Sequence, residues 1–180
     1  MVLFVGSLIE FKGAWVAAKS LKHVVEKIPE AKLVFIGNEQ TPELPYRRFI
    51  EDICAKDKTI NNVLFLGKQD WQTIKTWHAK ASALIFPSIC METFGLAWAE
   101  AMASGVPIIA SAVGSIPELV GDHGIIVPPR DDRALADAIT KIVTDTKLAE
   151  QLSKEGKEYA AKQFSITNAV NNLKDIYNLL

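Results

Sequence analysis

Two glutamates, Glu92 and Glu100, are separated by seven residues in the part of the chain that is densest in chemically useful groups, residues 87–107. An apolar run typical of a buried strand ends before Glu92, and Gly95 precedes a run typical of a helix. The free N–H groups at a helix N-terminus suit a pyrophosphate. A carboxylate can accept hydrogen bonds from two vicinal hydroxyls. Two carboxylates beside such an anion site would therefore fit two sugars, one a hexose and one a ribose.

The same two residues also have an ordinary structural interpretation. Glu92 could be an acid that the helix dipole favours near a first turn, and Glu100 could lie on a solvated helix face. Carboxylates lie on solvated surfaces in most proteins, so the spacing alone favours this interpretation. The surrounding sequence has to decide between the two.

The elements that would position these residues alternate between strands and helices along the chain. Short apolar runs predict strands, and apolar residues at three- and four-residue steps predict helices. This alternation is typical of right-handed βαβ units and a parallel sheet, and the wholly apolar strands indicate that both sheet faces are covered. We predict a doubly wound, Rossmann-like α/β domain with six parallel strands, helices on both faces and further helices at the C-terminus. The predicted strands are 2–5, 33–36, 63–66, 83–86, 106–110 and 124–127, and the predicted helices are 14–28, Thr41 to about 55, 71–78, 96–103, a short helix from Ser115, 132–143, 147–163 and 165–180.

Three polar residues are placed to begin helices. Thr41 has the hydroxyl of an N-cap and is followed by a proline, which suits the first helical position. Asp70 can cap the helix that follows it. Ser115 and Glu118 have the spacing of a capping box.

The predicted fold indicates where a ligand should bind. In doubly wound sheets, ligands lie beyond the carboxyl ends of the strands, near the point where the strand order reverses. We therefore expect the chemistry in the segments that follow these ends. The loops at that edge begin at Gly6, Gly37, Gly67, Pro87, Ala110 and Val127.

Composition narrows the class of protein. The 180 residues suit one domain, and a net charge of −1 provides no broad electrostatic surface for nucleic acid or anionic lipid. Cys54 and Cys90 lack metal-type spacing and are expected to be free thiols in a reducing compartment. No apolar run approaches the roughly 20 residues of a membrane span. We expect a cytoplasmic protein with no metal site and no nucleic-acid partner. A core strand in place of a signal peptide at the start indicates that an upstream segment is missing.

Several separated segments, in order, resemble the retaining glycosyltransferases with the GT-B fold, of the "group 1" or family-four type. Glu92 and Glu100 match the two glutamates of that family's Glu-(seven residues)-Glu motif. Residues 92–96, ETFGL, are similar to the family's E-G-F-G-L, with Thr93 in place of the usual glycine. The other similar segments are VGSL…KG at 5–13, AMASGVP at 101–107, GSIPELV at 114–120 and GIIVPP at 124–129.

The resemblance covers essentially the whole chain, but only the C-terminal half of such an enzyme. It implies that residues 1–180 are the nucleotide-sugar-binding domain, one lobe of a GT-B fold, with the N-terminal acceptor domain absent. The implied reaction, of the hexosyltransferase class, transfers a sugar with retention from a UDP-, GDP- or ADP-sugar to an acceptor hydroxyl. The family uses no metal and no cofactor. The isolated domain is expected to bind the donor weakly and to transfer negligibly.

The resemblance also implies roles for individual residues. Lys12 and Glu92 would be the catalytic residues: Lys12 would contact the donor phosphates as a point charge, and Glu92 would hold hydroxyls of the transferred sugar. Glu100 would hold the ribose. The full donor-binding set is Gly6, Ser7, Lys12, Gly67, Glu92, Thr93, Phe94, Gly95, Leu96 and Glu100.

One residue departs from the family's pattern in a way that affects the phosphates. Ser7 stands where the family usually has an arginine, and the loss of a bidentate phosphate donor weakens stabilisation of the leaving group. Either Lys12 carries this task alone or an arginine such as Arg130 reaches in, and the sequence leaves both open. Among the four tryptophans, Trp71 is the one that could line a base pocket.

Two other functions fit the same scaffold. One is a sugar-nucleotide epimerase or a phosphorylase of the GT-B type, although the glutamate motif and the VGSL…KG segment favour the transferase. The other is a nucleotide-binding domain without catalytic activity. The helix at 165–180 resembles one that runs back toward the N-terminal lobe in full-length relatives. Its apolar stripe should be exposed here and could support self-association, and the full-length protein could lie at the inner face of a membrane.

Overall fold

The computed structural model describes residues 1–39 and 46–178 of the chain. Within these residues the strands are β1 Val2–Val5, β2 Leu33–Ile36, β3 Val63–Phe65, β4 Ala83–Phe86, β5 Ile108–Ser111 and β6 Gly124–Val127. The helices are α1 Ala14–Lys27, α2 Tyr46–Lys56, α3 Trp71–His78, α4 Leu96–Ala103, α5 Ile116–Val120, α6 Asp132–Thr144, α7 Thr146–Gln163 and α8 Ile166–Asn178.

The six strands form one parallel sheet in the order β3-β2-β1-β4-β5-β6. The chain builds outward from β1 through β2 to β3, then returns to the other side of β1 for β4. The strand order therefore reverses between β1 and β4, and a crevice is expected beyond their carboxyl ends. This arrangement confirms the predicted doubly wound, six-stranded α/β domain.

Alternate residues of the strands enter two separate cores, one on each face of the sheet, except at the edge strand β3, where Leu64 is 44% exposed. Phe4 and Phe35 lie in the core that α1, α2 and α6 cover, whereas Leu3 lies in the core that α4, α5 and α7 cover. Trp98 of α4 is fully buried in the second core. Helices on both faces explain why the strands are almost entirely apolar, with Ser111 at the end of β5 as a polar exception.

Strand β5 begins at Ile108, two residues later than the prediction of 106. The N–H of Val106 instead donates to the carbonyl of Ala101 at 2.9 Å, which closes the end of α4, and Pro107 has no N–H to donate. The predicted helix start at Thr41 lies outside the described residues, and the described part of that helix runs from Tyr46 to Lys56.

The two remaining cap predictions have different outcomes. Asp70 caps α3 as predicted, because its Oδ1 accepts a hydrogen bond from the N–H of Thr73 at 2.7 Å. The capping box at Ser115 is wrong. Ser115 precedes α5 with no side-chain cap, and its hydroxyl donates to the loop that carries Glu92.

Helix α8 exposes the apolar stripe that the sequence indicated. The exposed fraction is 84% for Ile166, 55% for Leu173 and 72% for Tyr177, and none of the helix's described residues is buried. These side chains remain in contact with water in this chain. Self-association through them stays a prediction.

His78 is a buried histidine between α3 and α4. It ends α3 with 5% of its surface exposed, and its Nδ1 lies 3.3 Å from the hydroxyl of Ser104, which follows α4. Its other ring nitrogen, Nε2, is buried without a hydrogen-bond partner among the described residues. Because burial disfavours the charged imidazolium, it lowers the pKa of His78 below the usual 6.5.

This burial predicts a pH-dependent stability. The imidazole stays neutral in the folded chain but takes up a proton in the unfolded chain below about pH 6.5, so the free energy of unfolding falls as the pH drops through that value. The wild type should lose more stability between pH 7.5 and pH 5.5 than a His78→Gln variant, as measured by urea denaturation at both pH values. A Gln72→Ala variant, which changes an exposed residue of α3 and removes no titratable group, should keep the wild-type dependence. Equal losses in the wild type and His78→Gln would contradict the prediction.

Candidate functional site

The loops that follow β1 and β4 meet at the point where the strand order reverses. The two strands pair in parallel from Val2 and Ala83 to Phe4 and Ile85, so their carboxyl ends point to the same edge of the sheet. The loop after β1 carries Lys12, and the loop after β4 carries Glu92. The pairing of the strands therefore brings together residues that are far apart in the sequence.

At Gly13, the loop after β1 packs closely against Pro87, the residue that follows β4. A 3-10 turn over Glu10–Lys12 ends at Gly13, which has a left-handed backbone with φ 70°. A Cβ at Gly13 would lie 1.8 Å from the carbonyl oxygen of Pro87. The N–H of Ile89 also donates to the carbonyl of Phe11 at 2.9 Å. These contacts fix Lys12 beside the second loop.

Lys12 and Glu92 form an ion pair in this chain. The Nζ of Lys12 lies 2.6 Å from Oε1 of Glu92, and 33% of the lysine side chain but only 10% of the glutamate side chain is exposed. The hydroxyl of Ser88 lies 2.7 Å from the same oxygen. The two predicted catalytic residues are thus in direct contact, 80 positions apart in the sequence.

The loop after β5 holds the backbone at Glu92 from the other side. Gly114 has φ 55°, and a Cβ there would lie 2.1 Å from the carbonyl oxygen of Glu92. Ser115 donates to this oxygen through its N–H at 3.0 Å and through its hydroxyl at 3.1 Å. The same hydroxyl lies 2.5 Å from the carbonyl oxygen of Thr93. Ser115 therefore anchors the glutamate loop, which explains why it does not cap α5.

A pocket of about 230 Å³ opens beside the ion pair. It contains four more of the predicted donor-binding residues, and no side chain caps the N-terminus of α4 at its edge. The first-turn N–H groups of α4 are therefore available to an anion. The pocket is lined by Phe4, Val5, Gly6, Ser7, Lys12, Phe86, Gly95, Leu96 and Ala97.

Glu100 lies in a neighbouring groove rather than in this pocket. That groove has a volume of about 470 Å³, and Glu100 shares it with Trp71 and Lys75 of α3. Trp71 is 54% exposed, and the Nζ of Lys75 lies 5.2 Å from the centre of its ring. Glu100 thus lines a different depression from the pocket that adjoins the Lys12–Glu92 pair. The groove places Trp71 where a base pocket beside Glu100 would need an aromatic face.

Four predicted donor-binding residues line neither depression. Glu92 is one of them, and it adjoins the pocket through its contact with Lys12. Gly67 ties the loop after β3 to the loop after β2, because its carbonyl accepts the N–H of Gly37 at 2.9 Å. Phe94 packs its ring on Trp98, with 5.5 Å between ring centres, and so anchors the loop in the core. Thr93 is exposed. Their roles in donor binding stay predictions.

The structure clarifies the two alternatives for the missing arginine. Ser7 lines the pocket, and Lys12 is the cationic residue among the described residues that line it. Arg130 lies exposed in the turn after β6, with φ 64°. Within residues 1–39 and 46–178, it makes no hydrogen bond or ion pair with Ser7, Lys12 or Glu92. The geometry therefore favours Lys12 over Arg130 as the cation of this pocket, and its contact with a phosphate stays a prediction.

Sequence reasoning missed two residues of the site, Ser88 and Gly114. Ser88 is 1% exposed and directly contacts Glu92, and the signal was a serine two residues after the end of a buried strand. Gly114 permits the close approach to Glu92, and nothing in its local sequence predicts that contact.

Two other kinds of feature, a metal site and a membrane-spanning helix, are absent from the described part of the chain. No group of three or more histidine, cysteine, aspartate or glutamate residues is placed to hold a metal ion there. No helix there is long and apolar enough to cross a membrane.

The strand order and the position of the pocket define a Rossmann-like α/β domain with its crevice at the carboxyl ends of β1 and β4. The chain belongs to the family "Glycosyl transferases group 1", whose model matches residues 1–159. This membership confirms the family that the sequence motifs indicated.

Individual relatives agree with this assignment. The chain is 28% identical over 181 residues to an uncharacterised glycosyltransferase of Methanocaldococcus jannaschii, which covers 99% of this chain and 45% of that protein. It is 30% identical over 186 residues to the D-inositol 3-phosphate glycosyltransferase of Corynebacterium glutamicum, which covers 99% of this chain and 43% of that protein. The chain thus spans less than half the length of these two relatives.

Solved structures of glycosyltransferases share the fold. Sucrose-phosphate synthase from Thermosynechococcus elongatus superposes with a TM-score of 0.85 and 31% identity, over 99% of this chain and 44% of that one. The C-terminal domain of a group 1 glycosyltransferase from Francisella tularensis superposes with a TM-score of 0.82 and 24% identity, over 92% of this chain and 86% of that one. The Anabaena protein HepE, solved in complex with UDP, superposes with a TM-score of 0.91 and 22% identity, over 99% of this chain and 48% of that one.

The contact between Gly13 and Pro87 predicts a large loss of stability on substitution. Gly13→Ala combines left-handed backbone strain with a Cβ placed 1.8 Å from a carbonyl oxygen, so it should cost more than about 3 kcal/mol of the free energy of unfolding. Gly67→Ala is a matched control, because Gly67 has a similar φ of 67° and its Cβ would meet only Asn38 Oδ1 at 3.8 Å. The control should lose about 1–2 kcal/mol. Urea denaturation measures the free energy of unfolding of both variants. Equal losses would show that Gly13 does not pack closely against Pro87.

Proposed function

We propose that this chain is the donor-binding half of a retaining glycosyltransferase, which transfers a sugar from a nucleotide-sugar to an acceptor hydroxyl. The observation that carries the proposal is the contact between Lys12 and Glu92 beside a pocket that ends at the uncapped N-terminus of α4. This arrangement offers positive charge and free N–H groups to a diphosphate, with a carboxylate next to them for sugar hydroxyls. The acceptor site belongs to an N-terminal domain that lies outside this chain.

The diphosphate would be bound by Lys12 and the first turn of α4. In the transition state the bond between the sugar and the diphosphate breaks, so negative charge develops on the leaving phosphate. Donors that are already oriented toward this charge stabilise it without reorganisation. Lys12 would serve here without the arginine that the family's motif led us to expect at the position of Ser7. Sugar departure and acceptor attack on one face of the sugar would give retention, so no side-chain nucleophile is assigned.

Glu100 and Trp71 would bind the nucleoside. Glu100 lies four residues after Leu96, the first residue of α4. At about 1.5 Å of rise per residue, this places it roughly 6 Å further along the helix from the proposed diphosphate site. A ribose attached to the diphosphate can reach that position, and its two hydroxyls suit a carboxylate. The exposed face of Trp71 in the same groove would then pack against the base.

Calorimetric titration tests the donor site directly. We expect the chain to bind one of UDP, GDP and ADP more tightly than the others; UDP is a natural first probe, since HepE was solved with it. Lys12→Ala removes a charged partner of the phosphates and should weaken binding about tenfold to hundredfold. Glu100→Ala should weaken it about tenfold, through the ribose.

Matched variants control for loss of charge alone. Lys27→Ala removes a lysine from the opposite end of α1, where its partner is Asp137, and Glu118→Ala removes an exposed glutamate. Both should bind the nucleotide as the wild type does. If all four variants bind equally well, the nucleotide lies elsewhere and the proposed site is wrong.

A transfer assay separates the proposal from its alternatives. Since the proposed acceptor site lies outside the chain, we expect negligible transfer from UDP-glucose or GDP-mannose to added sugar acceptors. Chromatography of the products measures this transfer. Robust transfer by this chain alone would contradict the assignment of the acceptor site to another domain. Recovery of a nucleotide-sugar with an inverted sugar carbon would instead identify an epimerase.

A further inference from the structure

Ser88 has a buried hydroxyl group that contacts Glu92 of the proposed site. It follows Pro87 at the end of β4 with 1% of its surface exposed, and its Oγ lies 2.7 Å from Oε1 of Glu92. A hydroxyl that donates to a carboxylate forms a charge-assisted hydrogen bond, which is stronger than a bond between neutral groups. Because the side chain of Glu92 is itself only 10% exposed, water competes little with this bond.

The hydroxyl of Ser88 is able to donate its hydrogen bond to Glu92. The other acceptors within reach are the carbonyl oxygen of Phe11, 3.1 Å from Oγ, and the weakly accepting Sγ of Cys90, 3.8 Å away. That carbonyl already accepts the N–H of Ile89 at 2.9 Å, so it does not depend on the serine. The shorter distance and the negative charge both favour donation to Glu92.

The two oxygens of Glu92 differ in their surroundings. Oε1 receives both Lys12 Nζ, at 2.6 Å, and Ser88 Oγ, at 2.7 Å. Within the described part of the chain, no hydrogen bond reaches Oε2. One oxygen is therefore anchored by the protein, and the other is left to accept hydroxyls of a ligand.

Lys12 has a second task that Ser88 does not have. Its side chain is one-third exposed and lines the pocket, so a bound diphosphate competes with Glu92 for its ammonium. Ser88 is buried and lines neither that pocket nor the neighbouring groove. When Lys12 turns toward the phosphates, Ser88 is the partner that still holds Oε1.

We propose that Ser88 is a positioning residue that orients the carboxylate of Glu92 toward the transferred sugar while Lys12 binds the diphosphate. The inference rests on the proposed function. It predicts that Ser88 matters for the sugar part of the donor and not for the nucleotide part.

Titration with paired ligands tests this distinction. Each of UDP, GDP and ADP is compared with its conjugate UDP-glucose, GDP-mannose or ADP-glucose, and the pair whose conjugate binds the wild type is used. Ser88→Ala should weaken binding of the conjugate about fivefold to tenfold, with less than about a twofold change for the diphosphate. In a Glu92→Ala background, the same substitution should have no further effect on the conjugate. Ser20→Ala, which removes another hydroxyl of a 1% exposed serine far from the site, should change neither affinity.

A stability cycle tests the contact without any ligand. The unfolding constants of the wild type, Ser88→Ala, Glu92→Ala and the double variant should depart from additivity by at least about threefold, because neighbouring groups in one hydrogen bond are coupled. An additive cycle would overturn the contact itself. Equal weakening of diphosphate and conjugate by Ser88→Ala would overturn the positioning role. A wild-type chain that binds none of the six ligands would overturn the proposed function, and the role of Ser88 toward a sugar with it.

Discussion

The parallel pairing of β1 with β4, at the point where the strand order reverses, is the constraint on which the rest of the site depends. It aligns the carboxyl ends of two strands whose following loops would otherwise be unrelated. The loop after β1 contacts Pro87 at Gly13, and the loop after β5 contacts the backbone of Glu92 at Gly114, with no room for a side chain at either glycine. Because these contacts involve carbonyl oxygens of the rigid main chain, they fix the positions of Lys12 and Glu92 more tightly than flexible side chains could.

The charges in this junction are balanced while no donor is bound. A mostly buried carboxylate without a partner is costly, and Glu92 offsets that cost through Lys12 and Ser88. Under the proposed function, a diphosphate would have to share the ammonium that Glu92 holds. In that case the buried Ser88 would preserve the geometry of the carboxylate.

Much of the fold could be predicted because its signals are local. An apolar run bounded by a glycine or proline predicts a strand wherever it occurs, and four of the six predicted strands have the observed boundaries; β3 ends one residue early and β5 is shifted. The predictions are wrong where a residue forms its hydrogen bond outside the element that its local pattern indicates. Ser115 has the spacing of a capping box, but its hydroxyl donates to carbonyls at Glu92 and Thr93, some twenty positions earlier in the sequence. Strand β5 starts after Pro107 because the N–H of Val106 closes α4 instead.

The sequence by itself determined the class of fold, the family and the residue types of the site, because apolar periodicity and motif spacing are properties of consecutive residues. Tertiary structure alone decided which of those residues meet. It paired Lys12 with Glu92 across 80 positions, added Ser88 to the pair, and placed Glu100 with Trp71 in a separate groove. The physical reason is that such contacts depend on the order in which strands pair and on how closely loop backbones approach, and both are set by packing between segments far apart in the chain.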